Sequence, residues 1–189
     1  NGPDFPGYLD DDRPISVNDI AVNEASPFAV FSVTGNIGQV IRLNLIDGTA
    51  KVGDIATDGT QDYKAPLQIS VNNGTTWADY TANDDYTLTA ATFIVRAPLI
   101  NDTSYEGHEG FALEATRVSQ NDKTYGIANI YDDGTGVIFD EDGTEDIDAA
   151  KNDDRTIIIN DLAVNEASDI AVFTITGNAG QTVLLDYIA

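Results

Sequence analysis

Apolar and polar residues alternate with a period of two in many short stretches of the chain. Between residues 28 and 33 the alternation places Ala29, Phe31 and Val33 on one side of an extended segment, and it recurs between residues 171 and 175. A period of two is typical of a β-strand that buries one face, and no segment keeps the longer period of an amphipathic helix. We expect the side that carries Phe31 to face a hydrophobic core.

Eight segments show this alternation or a short apolar run, and we predict each of them as a strand. They are Ile15–Val22, Phe28–Val33, Val40–Ile46, Leu67–Val71, Tyr86–Thr89, Phe93–Ala97, Phe111–Thr116 and Thr124–Tyr131. Residues that favour turns separate several of them, at Asp47–Gly48, Asp58–Gly59, Asn73–Gly74 and Asn83–Asp85. The sequence therefore predicts an all-β fold, an antiparallel immunoglobulin-like sandwich of about seven strands.

The beginning of the chain is repeated at its end. Residues 11–47 return at residues 153–189, shifted by 142 positions, with 22 of 37 residues identical. Such similarity is typical of a tandem array of one structural unit. We predict a linker from a preceding repeat at residues 1–10, a complete sandwich at 11–134, an acidic linker at 135–152, and the first strands of a truncated repeat at 153–189.

Two or three strands cannot cover their own apolar face. We therefore expect the partners of this chain to be neighbouring repeats of the same chain, and other copies of the chain through pairing of the strands in residues 153–189.

The balance of charge excludes two classes of partner. The chain has 32 acidic and nine basic residues, which give a net charge of −23 over 189 residues. Nucleic acid and anionic membranes are negatively charged and would be repelled. The chain also lacks a run of 18 apolar residues, so we expect no membrane insertion of this segment. With 42% hydrophobic residues the chain can still form a packed core.

Residues suited to catalysis are scarce. The chain has no cysteine and a single histidine, and it shows neither a Ser, His and acid set nor a glycine loop that would hold phosphate. Pairs of carboxylates are unavoidable among 32 acidic residues and so are uninformative. We expect that the protein is not an enzyme.

The acidic residues are concentrated in two places. Ten of the 24 residues from Asp132 to Arg155 are acidic, and a second group lies between Asn101 and Glu109. Loops at the ends of strands gather at the two poles of a sandwich, so the two groups can meet at one pole. Hard oxygen ligands at this density suit Ca²⁺, whereas Zn²⁺ would need Cys or His. Solvated acidic faces and self-repelling linkers are the alternative interpretation.

Four segments resemble the Calx-beta domain pattern. They are Val22–Ala25, Asp62–Tyr63, the run Val95–Phe111 and Ile130–Asp133. They resemble more closely the Calx-beta-like repeats of large bacterial adhesins of the repeats-in-toxin class. The resemblance covers the chain from about residue 12 to residue 134 and the start of the next repeat. Asn101 stands where the family often has an acidic residue, and Gly110 stands where Thr or Asn is common.

The resemblance implies a sandwich that binds calcium at one end, near the junction with its neighbour. By position, the implied metal ligands are Glu24, Asp62, Asp102, Glu106, Glu109, Asp132 and Asp133, with Glu166 repeating the role of Glu24. It also implies an extracellular or cell-surface location. The implied function is that of a structural extender in a bacterial adhesin or filament, made rigid by calcium at the domain ends.

The alternative function is a module that binds carbohydrate or peptide through loops around Trp77 and Tyr80. We expect Trp77, the only tryptophan, to contribute packing rather than a carbohydrate platform. We expect His108 to be an exposed loop residue rather than a metal ligand or a base.

Overall fold

The structure is a computed structural model that describes residues 12–53 and 61–186. The predicted linker at residues 1–10 and the predicted turn at Asp58–Gly59 lie outside the described residues. Within the described ranges every regular element is a strand, so the all-β prediction is confirmed. No helix in these ranges has the length and apolar character needed to cross a membrane.

Ten of the described strands form two five-stranded sheets. They are β1 (Ser16–Val17), β2 (Ile20–Asn23), β3 (Phe28–Thr34), β4 (Val40–Asp47), β5 (Leu67–Ser70), β6 (Ala78–Tyr80), β7 (Tyr86–Thr87), β8 (Thr92–Pro98), β9 (His108–Arg117) and β10 (Asp122–Tyr131). The strand order is β1-β3-β8-β5-β6 in the first sheet and β2-β10-β9-β4-β7 in the second. Neighbouring strands are antiparallel except β2 and β10, which are parallel.

The predicted strand Ile15–Val22 is divided between the two sheets. β1 pairs with β3 in the first sheet, whereas β2 pairs with β10 in the second. Asn18 and Asp19 lie at the crossing, where Asn18 Oδ1 accepts from Ser32 N at 2.6 Å and Asp19 Oδ1 accepts from Ile127 N at 2.8 Å. These side chains bond to both sheets. The apolar residues before them, Ile15 and Val17, are at odd positions, whereas those after them, Ile20 and Val22, are at even positions, so the period-two pattern changes phase at the crossing. The prediction of one strand is therefore wrong, and this change of phase was the signal for two.

The core lies between the sheets. Ala29, Phe31 and Val33 are fully buried, which confirms the predicted orientation of β3. The ring of Phe111 stacks on Tyr63 with centroids 4.1 Å apart and meets Phe31 edge to face at 6.0 Å. These three aromatic residues fill the sandwich close to the end where the acidic loops gather, because Tyr63 follows Asp62 directly.

Two of the predicted turns contain a residue with positive φ, Asn73 at 54° and Asn83 at 67°. At the predicted turn Asp47–Gly48, Asp47 is instead the last residue of β4 and Gly48 follows it in a bend. Strand β6 was not among the predicted strands, since its three residues lack a clear alternation. It pairs with β5 at the edge of the first sheet.

Residues 135–152, the predicted acidic linker, contact the sandwich at several points. Val137 forms an isolated bridge with Val22, and Phe139 N donates to Ser26 Oγ at 2.9 Å. Further along, the main-chain oxygen of Glu141 accepts from Trp77 Nε1 at 3.1 Å. The segment thus continues the fold beyond β10 and follows the surface of its own sandwich.

The second copy repeats the local structure of the first but not its burial. Its strands β11 (Ile158–Ile159) and β12 (Ile175–Thr176) pair in the register that β1 and β3 use 142 positions earlier. Phe173 and Leu185 are 60% and 63% exposed, although their equivalents Phe31 and Leu43 are fully buried. The strands that would cover this face have no counterpart among the described residues of the second copy.

Candidate metal centre

The parallel pairing of β2 and β10 creates the acidic end of the sandwich. Asn23 is opposite Tyr131 in this ladder, so the next residues, Glu24 and Asp132, leave the sheet side by side. Glu24 N donates to Tyr131 O at 2.8 Å and holds the two chain segments together. β9 begins beside the end of β10, because His108 pairs with Tyr131. The loop between β8 and β9 therefore reaches the same end.

Three of the predicted ligands form a compact cluster. One carboxylate oxygen from each of Asp62, Glu106 and Glu109 lies within 4.8 Å of the other two. Two oxygens on opposite sides of one Ca²⁺ ion are about 4.6–5.2 Å apart, since each bond is about 2.3–2.6 Å long. The three oxygens are therefore close enough to bind a single ion of this size.

The two glutamates of this cluster have raised pKa values. Burial, followed by repulsion from Asp62, raises the pKa of Glu106 to about 7. Burial and a hydrogen bond with Asp62 raise the pKa of Glu109 to about 7. Glu106 remains exposed and Glu109 is half-buried, so solvent screens part of this effect. Negative charges that lie close together favour protonation. A bound cation would offset the same repulsion.

Glu24, Asp102 and Asp132 form a second group next to the first. Glu24 Oε1 accepts from Asp102 N at 2.9 Å, and Asp132 Oδ2 accepts from Glu106 N at 2.7 Å. Burial is the largest cause of a rise in the pKa of Glu24 to about 7, and repulsion from Asp102, Asp154 and Asp132 adds to it. The pKa of Asp132 is raised as well, again mainly by burial.

The donor set fits calcium. Asp132 is only 3% exposed, and its Oδ1 is buried without a hydrogen-bond partner among the residues that the structure describes. A buried carboxylate oxygen without a partner is costly unless something else binds it. The predicted ligands are all oxygen donors, as Ca²⁺ prefers and Zn²⁺ does not.

Two of the eight predicted ligands lie elsewhere. Asp133 Oδ1 accepts from Thr135 N at 3.0 Å and also bonds to the Thr135 hydroxyl. This bonding and the nearby Arg155 lower the pKa of Asp133. Glu166 is exposed in the second copy and, within the described residues, makes no hydrogen bond or ion pair with the other predicted ligands. The structure therefore brings together six of the eight.

Three residues at this end were not predicted as part of the site. The amide nitrogen of the fully buried Asn23 lies within hydrogen-bond distance of three main-chain oxygens, those of Tyr131, Thr135 and Asn152, at 2.8–3.2 Å. Asn152, which precedes the second copy, lies 3.3 Å from Glu24 Oε2 through Nδ2, and Asp154, at the start of the second copy, is near enough to Glu24 to raise its pKa. For Asn152 and Asp154, the feature of the sequence that could have indicated a place at this end is the return of Asp-Asp-Arg at residues 153–155, next to the acidic segment.

The structure places the single histidine and the single tryptophan on the surface of the sandwich. His108 is exposed as expected, but it is the first residue of β9 rather than a loop residue. It lies 3.2 Å from Asn129 Oδ1 through Nε2 and stacks on Tyr131 at 5.2 Å. Trp77 is half-buried and covers the guanidinium of Arg96, whose central carbon lies 4.1 Å from the indole ring. Trp77 therefore packs against its own sandwich, as expected.

Comparison with known proteins finds similarity only among solved structures. No family model and no curated protein matches the chain. The calcium-binding domain CBD12 of CALX1.1 is 15% identical over 64% of this chain and 44% of that chain, with a TM-score of 0.42. The apo form of the Calx CBD1 domain is 16% identical over 62% of this chain and 96% of that chain, with a TM-score of 0.39. This chain thus spans less than half of the CBD12 structure and most of the CBD1 structure.

Proposed function

We propose that this chain is a calcium-binding β-sandwich module. The observation that carries the proposal is the convergence of Asp62, Glu106 and Glu109, whose ligand oxygens lie within 4.8 Å of one another. Glu24, Asp102 and Asp132 border this cluster and supply further oxygens. A bound Ca²⁺ ion would neutralise carboxylates whose mutual repulsion otherwise opposes folding.

The repeated unit bears on the role of the module in a longer chain. Two copies of one sequence follow each other, and the second copy begins beside the acidic end of the first sandwich. We infer that the chain is an extender segment of a secreted or cell-surface bacterial adhesin or filament. Calcium at the domain ends makes successive sandwiches rigid and holds a distal binding domain away from the cell.

Calcium binding is tested by calorimetric titration of the purified chain. We expect wild type to bind calcium, and the double variant Glu106→Gln, Glu109→Gln to lose at least one ion. The matched control is Glu141→Gln, Glu145→Gln, which removes the same charge from an exposed part of the acidic segment. Equal titrations for all three proteins would contradict the assignment of the site.

The extender role is tested by small-angle X-ray scattering on a chain of two complete repeats. We expect a longer maximum dimension with calcium than with a chelator, since rigid junctions prevent bending. Ligand present at about 100 times its Kd stabilises a folded protein by about 2.7 kcal/mol per site, so the unfolding temperature should rise as well. Unchanged dimensions would reject the mechanical role even if calcium binds.

The alternative role in binding carbohydrate or peptide has less support. One face of the Trp77 ring is occupied by Arg96, and Gly143 lies against its edge. A platform for a sugar ring needs an open aromatic face. The chain is also proposed not to be an enzyme, because the histidine that could act as a base lies on the sheet surface beside Asn129 and Tyr131.

A further inference from the structure

The first residues of the second copy pair with the chain that leaves the first sandwich. We refer to residues 153–155 as the junction strand. Asp154 N donates to Asp132 O at 3.0 Å, and Asp153 forms an isolated antiparallel bridge with Asp133. The junction strand is therefore attached to the first sandwich by its main chain, and this attachment needs no side-chain ligand.

The side chains of Asp153 and Arg155 form a pair on the junction strand. Residues two apart in an extended segment share a face. Arg155 Nε donates to Asp153 Oδ1 at 2.8 Å, and Arg155 Nη2 donates to Asp153 Oδ2 at 2.7 Å. Two parallel hydrogen bonds of this kind fix the direction of a guanidinium as well as its position. Both side chains are only 16% exposed, so solvent and salt screen the pair less than an exposed one.

Both oxygens of the Asp153 carboxylate are used by this pair, so the guanidinium neutralises the carboxylate without a metal ion. The pKa of Arg155 is raised, first by its hydrogen bonds to Asp153 and further by the negative charges of Asp153 and Asp133. The guanidinium therefore lies in the field of a carboxylate from each side of the junction, because Asp133 belongs to the first sandwich and Asp153 to the second copy.

The second copy holds the other end of Arg155. The main-chain oxygen of Arg155 accepts a hydrogen bond from Gln181 Nε2, and Arg155 Nη1 donates to Ala179 O at 3.5 Å. Gln181 is itself fixed, because its Oε1 accepts from Asn178 N at 3.0 Å. Arg155 is thus bound by residues well inside the second copy while its guanidinium lies beside the end of the first sandwich.

The same arrangement of arginine and glutamine occurs in the first copy. Arg13 lies 142 positions before Arg155, and Arg13 O accepts from Gln39 Nε2 at 2.6 Å. Basic residues are not retained between the copies in general, since Leu184 stands at the position that corresponds to Arg42. The repeated unit therefore keeps an arginine at a fixed place next to its first strand.

We propose that Arg155 orients the second copy relative to the first sandwich through its paired hydrogen bonds to Asp153, and that this contact operates without a bound metal ion. The surface around Asp133 accordingly has a defined partner, which is the following repeat of the same chain. The proposal goes beyond the proposed calcium site and does not depend on it. A calcium ion at the end of the sandwich would stiffen a junction whose direction the arginine has already set.

The test measures the distance between the two copies with a pair of spin labels in the full-length chain. The chain has no cysteine, so Tyr125→Cys and Asp169→Cys provide the only labelling sites, one exposed on the first sandwich and one exposed in the second copy. Labelled chain is diluted with unlabelled chain, which removes distances between different chains. In chelator we expect a narrow distribution of distances for the labelled chain that carries no further substitution.

Two variants remove the two partners of the pair in turn. We expect Arg155→Gln and Asp153→Ala each to lose the narrow distribution in chelator. The double variant should be no broader than either single variant, because both substitutions break the same contact. The matched control is Lys151→Gln, which removes the same charge as Arg155→Gln from an exposed residue just before the junction strand and should keep the narrow distribution.

The outcomes separate this inference from the proposed function. A distribution for Arg155→Gln as narrow as that of the unsubstituted labelled chain in chelator overturns the inference. A distribution for the unsubstituted labelled chain that narrows only when calcium is added also overturns it and leaves the calcium-binding function standing. A narrow distribution that Arg155→Gln alone abolishes, in a chain that binds no calcium, supports the orienting arginine and rejects the calcium-binding function.

Discussion

Asn23 is the side chain that connects the two copies most directly. It is fully buried, its amide nitrogen lies within hydrogen-bond distance of three main-chain oxygens, and its amide oxygen accepts from the nitrogens of Ala25 and Asn152. Thr135 and Asn152 lie in the chain that follows the sandwich, so one residue at the end of β2 fastens that segment to the sheet. No apolar residue of similar size could replace these bonds.

We expect Asn23→Ala to lower the free energy of unfolding by at least about 1–3 kcal/mol, the cost of leaving a buried polar group without a partner. The equivalent substitution in the second copy, Asn165→Ala, is a matched control at an exposed position and should change stability by less than about 0.5 kcal/mol. Chemical denaturation of both variants measures the difference. Equal effects would show that the buried network contributes nothing.

The acidic cluster makes stability depend on pH in an unusual direction. Glu24, Glu106 and Glu109 have a pKa of about 7 in the folded chain against an ordinary value of 4.5. Between these values the folded chain binds more protons than the unfolded chain. The free energy of unfolding therefore decreases as the pH rises from about 4.5 to 7.

In chelator, we expect the unfolding temperature to be lower at pH 8 than at pH 5.5. Calcium should reverse the order, because the deprotonated carboxylates that destabilise the metal-free fold are the proposed ligands of the ion. Asp133 and Asp153, whose pKa values are lowered, lose their contribution only at more acidic pH and do not disturb this range. Thermal unfolding followed by circular dichroism measures both trends. An unfolding temperature that rises with pH in chelator would contradict this account.

Among the elements, the acidic segment after β10 differs most from the structure expected from its sequence. A run with so many carboxylates is typical of a solvated linker, yet this segment contacts the first sheet at Arg96 of β8. The guanidinium lies between the rings of Phe28 and Trp77, at 3.8 and 4.1 Å, and Nη1 donates to Glu141 O at 2.5 Å. An aromatic residue on each side fixes one cation, and that cation holds the loop.

We expect Arg96→Gln to release residues 140–146 from the sheet. In the wild-type chain Gly143 N donates to Asp140 O and Thr144 N donates to Asp140 Oδ1. Amide hydrogen exchange at Gly143 and Thr144 should become faster in the variant. Arg42→Gln serves as the control, because the pair of Arg42 with Asp85 is exposed and exposed pairs contribute about 0–1 kcal/mol. If exchange in the loop is unchanged, Arg96 does not hold it.

For the molecule as a whole, the main feature is the uncovered second copy. Side chains on the face that the first sandwich buries are exposed there, including Val164, Phe173 and Leu185. Exposed apolar strands with unpaired edges favour association with other chains. Pairing of these strands with another copy remains a prediction.

Sedimentation velocity tests this prediction. We expect wild type to form oligomers at micromolar concentration and Phe173→Asp to shift the distribution toward monomer. Tyr125→Asp, at a residue 49% exposed on the first sandwich, is the matched control and should leave the distribution unchanged. A monomeric wild type would refute pairing between copies.

The alternation of apolar and polar residues was sufficient to predict the all-β class, most of the strands and the buried side of β3. This was possible because the side of a strand to which a residue points depends only on local chain geometry. Acidic residues in loops at strand ends likewise indicated most of the carboxylates that the structure brings together. The alternation changes phase at Asn18 and Asp19, which indicates a break between β1 and β2. It does not show that the two strands lie in different sheets, because that depends on their distant partners β3 and β10.

Contacts between distant parts of the chain depended on the folded arrangement. Glu24 lies beside Asp132 because β2 and β10 pair in parallel. Asp154 lies near them because its main-chain nitrogen donates to Asp132 O. Asp133 is adjacent to Asp132 in sequence, yet it faces Thr135 and Arg155 instead. Composition indicates which residues can bind a cation, but pairing across the sheets selects those that meet, because that pairing sets the distances between their oxygens.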